Sequence, residues 1–253
     1  MNRILFESDE IVDGVATFGG ARAEHVLGVL HGEVGQTLKT GEVGGKIGAG
    51  VITEIARGAD GATIRAKVCH DRESLAPWVD LVLAPPRPRV MKRLLPQLAA
   101  MGVGRIVLVG AKKVEKDFWG ATLLKEENYR PLLVDGLMQC GTSILPELIC
   151  RRVFRRFVAD ELDEMFPTTR RIVAHPYVVD GTRQLARGEA SGRLLLAIGP
   201  EGGWTDDEVE LLETKGFERY SLGPRILRTD TATIALLAQL ASRREASRSD
   251  GGL

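Results

Sequence analysis

The chain has little with which to cross-link itself. Its three cysteines, Cys69, Cys140 and Cys150, are scattered and odd in number. They have neither zinc-site spacing nor a disulfide framework, which points to a reducing, cytoplasmic setting. Long apolar runs are missing too. Only three apolar residues follow Met1-Asn2-Arg3, too few for a signal peptide. No stretch approaches the roughly 18 apolar residues of a membrane-spanning helix. Net charge is absent, because 34 basic side chains balance 34 acidic ones. Phosphate-binding surfaces usually show as a basic excess, so any contact with nucleic acid has to be local. No Gly-Lys-Ser/Thr run makes a P-loop, and no G-x-G-x-x-G makes a dinucleotide fingerprint. The residues also offer no metal cluster and no Ser/His/Asp pattern, so neither metal nor covalent nucleophilic catalysis is expected.

What is present is a core-forming composition, 44% apolar, and one stretch that orders the rest, 194–240. Leu194-Leu195-Leu196-Ala197-Ile198 is a continuous apolar run, as in a strand buried on both faces. It stops at Gly199-Pro200-Glu201-Gly202-Gly203, where bare backbone can approach a ligand. Thr205 and Glu208 have capping-box spacing, Trp204 and Val209 staple spacing, and Gly216 ends the helix. Residues 218–222 read as another strand. A second turn, Gly223-Pro224-Arg225-Ile226-Leu227-Arg228, runs into the helix-capping pair Thr229-Asp230. From 232 to 240 the pattern is apolar nearly all round, which predicts a buried helix. Two glycine-bearing turns thus leave the carboxyl ends of two strands, the edge at which open α/β sheets bind ligands.

Upstream, 15–18, 36–38, 50–55 and 62–68 read as short strands punctuated by glycine, with one helix at 23–30. This predicts a small β-barrel over 1–72. Residues 71–77 read as the linker. The second domain, 73–241, alternates strands (78–84, 105–109, 148–154, 171–174) with helices (90–101, kinked or restarted at Pro96, and 128–140). That is a mostly parallel sheet with helices on both faces. Residues 242–253 read as a flexible tail. Basic clusters stand at Arg87, Arg89, Lys92 and Arg93, at Lys112, Lys113 and Lys116, and at Arg151, Arg152, Arg155 and Arg156. The first two follow strands and can meet phosphate at the edge that carries the glycine turns. His175, also after a strand, can line the same pocket.

The paired segments 197–204 and 222–232 resemble the SPOUT class of RNA methyltransferases, and within it the ribosomal RNA small subunit methyltransferase E family. The resemblance implies a PUA-like barrel ahead of an α/β domain with a C-terminal trefoil knot. It also implies a homodimer, an S-adenosyl-L-methionine site and methylation of N3 of a uridine in small-subunit ribosomal RNA. The cofactor would lie against Ile198, Gly199, Pro200, Glu201, Gly202, Gly203, Leu222, Gly223, Ile226, Leu227, Arg228, Thr231, Ala232 and His175. The RNA would meet Arg3, Arg22, Arg87, Arg89, Lys92, Lys112 and Lys113, with Arg3, Arg22 and His25 on the candidate face of the barrel.

Methyl transfer to uridine N3 requires loss of a proton. Glu201 and Asp230 are the candidate carboxylates, and Arg228 and Arg225 the candidate cations for the uracil anion. The structural alternative is that Asp230 caps the last helix and Glu201 orders its loop. Three places depart from the family pattern: Asp230 for Glu, Ala99-Ala100 for Thr-Glu, and Thr142 for Arg. These departures leave room for another RNA or atom as target, or for a catalytically silent RNA-binding protein.

Overall fold

A computed structural model describes residues 3–59, 61–167, 169–176 and 193–250. The chain divides into two compact units, 1–76 with 131–145, and 77–130 with 146–253.

The first unit is a six-stranded sheet that curls into a half-barrel. Its strands are β1 (Ile4–Phe6), β2 (Ile11–Val12), β3 (Val15–Phe18), β4 (Thr37–Glu42), β5 (Ile47–Gly58) and β6 (Gly61–Arg72). Their order is β1-β4-β5-β6-β3-β2, and only β1 and β4 run parallel. β5 and β6 each span 12 residues, longer than the runs 50–55 and 62–68 suggest, because glycines and exposed charges continue the ladder. Helix α1 (Gly20–Gly28) places Ala23 and Val26 against Phe6, Phe18, Ile52 and Ile64. The short runs β1 and β2 escape the sequence reading because three and two residues carry no period.

The second unit is a six-stranded, all-parallel sheet in the order β12-β10-β11-β7-β8-β9. Its strands are β7 (Val79–Leu83), β8 (Val103–Val109), β9 (Glu147–Arg151), β10 (Arg170–Ala174), β11 (Leu194–Ile198) and β12 (Phe217–Tyr220). β7 and β11 are buried at every position, as expected of strands covered on both faces. One face packs on α4 (Phe154–Arg156), a π turn (Phe157–Glu161), α5 (Leu162–Met165) and α6 (Asp206–Thr214). On the other face α2 (Pro88–Ala100) and α7 (Thr229–Asp250) pack against each other. Helix α3 (Glu126–Cys140) begins in this unit and ends in the other.

Four expectations are corrected. The strand read at 148–154 ends at Arg151, and Phe154 opens a helix instead. Phe154, Phe157, Val158 and Leu162 have helical spacing and are all buried. Pro88, read as outside any helix, is the first residue of α2, where its missing N–H costs nothing. Pro96 lies within α2 without ending it, and the side chain of Gln97 donates to the carbonyl of Arg93 (3.1 Å) one turn back. α7 continues to Asp250, through most of the stretch read as a tail. The trefoil knot that the resemblance implies is not shown among the described residues. Among the described residues no helix is long and apolar enough to cross a membrane.

Candidate functional site

All six strands of the parallel sheet end at one edge, so their following loops meet there. β11 releases the 199–203 turn and β12 the 221–228 turn. β10 lies between these two strands, which brings the residues after it into the gap. His175 N donates to Tyr220 O (3.0 Å), and Ser221 Oγ donates to Pro176 O (3.3 Å). Thr229 Oγ1, 4% exposed, donates to Gly199 O (3.2 Å) and so ties the second turn to the first. Between them is a cavity of about 430 Å³, within the range of small-molecule and cofactor sites.

The glycines have different reasons for being there. Gly203 (φ 70°) and Gly223 (φ 113°) occupy left-handed backbone that a side chain would strain. At Gly199 a Cβ would stand 3.0 Å from Trp204 N and 3.1 Å from its indole. At Gly202 it would meet Lys113 Cδ at 2.9 Å, because Lys113 lies across this turn and its Nζ donates to Gly202 O (2.7 Å). Gly202 therefore makes room for a lysine rather than leaving bare backbone toward the cavity.

Glu208 positions that lysine. It is 5% exposed, and its carboxylate accepts from Thr205 N (2.9 Å), closing the predicted capping box, and from Lys112 N (2.7 Å). One side chain thus joins the loop after β8 to the loop after β11. Arg87, in the loop after β7, donates to Glu115 (2.9 Å). That hydrogen bond holds its guanidinium above the usual arginine range, and the charge of Glu201 adds to the effect.

Of the residues expected at the cofactor, all but Arg228 and Thr231 line the cavity, His175 included. The sequence reading missed Ala174, Pro176, Trp204, Asp206, Tyr220, Thr229 and Leu236, and it assigned Lys113 to RNA. Trp204 was legible only as a staple. Its indole packs on Phe154 (5.1 Å between centroids), and its Nε1 is buried without a hydrogen-bond partner among the described residues.

The candidate catalytic residues separate. Glu201 lines the cavity and a neighbouring cleft bounded by Pro85, Arg87 and Phe118. Asp230 lines a different groove, between α2 and α7, and accepts from Thr231 N (2.9 Å). Arg228 is exposed, and its carbonyl accepts the first helical bond of α7 from Ala232 N (2.8 Å), which makes it the N-cap residue.

The expected RNA residues also divide. Arg89, Lys92 and Lys112 are exposed in the parallel-sheet unit. Arg3 is not available: it is 7% exposed, and its guanidinium donates to the carbonyls of Gly141 (2.8 Å), Thr40 (2.7 Å) and Gly48 (3.1 Å). Arg22 is engaged by Glu10 and the Leu5 carbonyl and lies over the rings of Phe6 and Phe18. Both serve the first unit's own structure. His25 is half-buried in α1, its Nε2 without a partner among the described residues.

Residues 73–241 match the RNA methyltransferase domain family. A ribosomal RNA small subunit methyltransferase E from Treponema pallidum is 31% identical, over 94% of this chain and 90% of its own length. One from Borreliella burgdorferi is 25% identical over 96% and 98%. Among solved structures, a putative methyltransferase from Legionella pneumophila in complex with the cofactor SAM superposes with a TM-score of 0.73. It is 24% identical, over 95% of this chain and 97% of that one. Ribosomal RNA small subunit methyltransferase E from Neisseria gonorrhoeae, bound to S-adenosyl methionine, gives 0.71 at 21% identity over 96% and 97%.

Proposed function

The chain belongs to the RNA methyltransferase family, and from that premise we propose that it uses S-adenosylmethionine to methylate N3 of a uridine in small-subunit ribosomal RNA. The observation that carries this reading is the cavity between the two glycine turns at the carboxyl edge of the parallel sheet. Its residues fit the cofactor. Ile198, Leu222 and Leu236 supply an apolar wall, and Gly203 and Gly223 supply left-handed turn backbone that carries no side chain. Trp204 adds a buried N–H that has no partner among the described residues.

When bound, the cofactor supplies an electrophilic methyl group, so the chain's own work is positioning, exclusion of water and handling one proton. Glu201, at the cavity, is the carboxylate that can accept the N3 proton. Arg225, on the lining, and Arg228, in the same turn, are the cations that can stabilise the uracil anion. Such RNA places the reaction in the cytoplasm. The protein acts as a homodimer through the face of α7 that its own unit leaves uncovered, a face that includes Ala238.

The departures at Ala100, Thr142 and Asp230 favour a second reading, the same chemistry on another nucleotide. One experiment separates them. Small-subunit particles lacking the modification are incubated with methyl-labelled cofactor, and the labelled nucleotide is mapped. Label on a uridine N3 of small-subunit RNA is expected. Label elsewhere supports the second reading, and no transfer to any RNA by a protein that binds the cofactor refutes both.

A further inference from the structure

The loop after β8 leads away from the cavity with basic and aromatic side chains that the proposed chemistry does not use. At its near end is Lys113, on the cavity lining. At its far end a short 3-10 turn, Lys116–Gly120, carries Trp119. Six residues of chain separate Lys113 from Trp119, which limits their separation to about 21 Å.

Trp119 is held from two sides. Phe118, buried, meets its ring edge-on (5.5 Å, 90°). Arg152, from the loop after β9, lies over the indole with its guanidinium carbon 5.9 Å from the ring centroid, and its Nη2 donates to Trp119 O (3.3 Å). The two loops are brought together by Gly110. Its N–H donates to Arg151 O (3.1 Å), and a Cβ there would fall 1.9 Å from the Arg152 carbonyl. The half-buried indole and exposed guanidinium are therefore held one over the other by backbone geometry. Lys112 and Lys116, on the first of these loops, and Arg156, on α4 just past the second, are exposed, and so is Val153 at 61%. The nearby acids are largely engaged: Glu115 by Arg87, Asp207 by Arg155 and Glu161 by Arg151. Asp117 is exposed, and so is Glu201, which borders the same cleft as Phe118.

An aromatic face beside a guanidinium, flanked by lysines, is the chemistry that recognises unpaired nucleotides. Bases stack on the aromatic and guanidinium planes, and cations track the phosphates. We propose that Trp119 and Arg152 form a stacking platform for an unpaired nucleotide of the substrate RNA, on the same strand as the base in the cavity and within a few nucleotides of it. This rests on the reading of the protein as an RNA methyltransferase and adds a specificity element to it: a target in single-stranded rather than duplex RNA.

The test measures binding of the full-length protein to a transcribed small-subunit RNA fragment, a single-stranded oligoribonucleotide and a duplex of the same sequence. Cofactor affinity is followed alongside by calorimetry. Trp119→Ala and Arg152→Ala should each weaken binding of the single strand by about tenfold. Trp119→Phe should restore most of it. Duplex binding and cofactor affinity should stay within a small factor of wild type. Removing Arg152 should also lower the salt dependence of binding by about one phosphate contact. If Trp119→Ala fails to fold, Arg152→Ala reads the same platform with the ring in place. Wild-type RNA affinity in Arg152→Ala and a folded Trp119→Ala overturns the proposal. So does loss confined to assembled subunits, which would make this surface a protein contact. A wild-type protein that binds single-stranded RNA through Trp119 but transfers no methyl group would sink the proposed function and leave the platform standing.

Discussion

At the scale of single residues, Arg228 and Glu208 carry the strongest consequences. Arg228 is exposed at the N-cap of α7, and no ion pair engages its guanidinium among the described residues. It does not line the cavity, so Arg228→Ala should bind the cofactor within a small factor of wild type. Methyl transfer to RNA should fall on the order of a hundredfold, the usual cost of losing a charged contact to developing charge. Arg228→Lys should recover little, because a point charge does not replace a planar fork. Transfer of labelled methyl at the wild-type rate by the alanine variant would make Arg228 a capping residue only. Glu208 predicts the reverse pattern. Glu208→Ala strands the N–H groups of Thr205 and Lys112 and should cost about 2–4 kcal/mol of stability. Cofactor affinity should fall with it, since both anchored loops wall the cavity. Thermal melting and calorimetric titration check the two effects together, and Glu208→Gln, which keeps an acceptor, should recover part of each. The cavity's glycines and apolar wall were legible because turn chemistry is local. Its other wall was not. Trp204, Tyr220 and Lys113 reach the cavity through strand order and a tertiary hydrogen bond, which no sequence spacing encodes. Arg3 was misread for the same reason, since the three carbonyls that bury it belong to residues 40, 48 and 141.

At the scale of elements, the buried parallel strands declared themselves as unbroken apolar runs, while the helix after β9 did not. There the basic residues interrupt the apolar spacing, and the pattern passes into a π turn at Phe157–Glu161. Asp163, on α5, ties the helix to its neighbours. Its carboxylate accepts from Arg171 of β10 (2.6 Å) and from Lys215 after α6 (2.6 Å). The Lys215 and Arg171 hydrogen bonds, in that order, hold its pKa below the ordinary aspartate value. A depressed carboxylate stabilises the fold fully above its unfolded pKa, about 3.9. That contribution is lost as pH falls through the lower folded value. Because Asp163 is 55% exposed, it should amount to no more than about 1 kcal/mol. Asp163→Asn should therefore unfold at a lower urea concentration than wild type at neutral pH. The gap should narrow below about pH 4, where the wild-type carboxyl begins to protonate. A gap that stayed constant down to pH 2 would assign the loss to packing instead.

At the scale of the whole molecule, the open question is what covers α7. Leu236, Leu237 and Leu240 are buried within their own unit. Ile234 and Ala235 are half-buried and Ala238 is exposed, and they line a groove with Val90, Leu94 and Gln97 of α2. The apolar pattern read at 232–240 thus serves two faces, and one unit satisfies only one of them. A two-fold axis through the groove would bury the second face, since in a two-fold interface the same patch meets itself and each contact occurs twice. The rim supports such an arrangement, because Arg93 and Asp230 carry opposite charges in the same groove. Across a two-fold axis, Arg93 of one copy can face Asp230 of the other. On this reading the aspartate, which lies away from the cavity, serves assembly rather than proton transfer. Light scattering at micromolar concentration should report twice the chain mass. Asp230→Arg should shift the protein toward monomer by setting like charges opposite each other, and Arg93→Asp combined with Asp230→Arg should restore the dimer. A wild-type monomer would refute the interface outright, while a dimer indifferent to both variants would move it off this groove and return Asp230 to the candidates for catalysis.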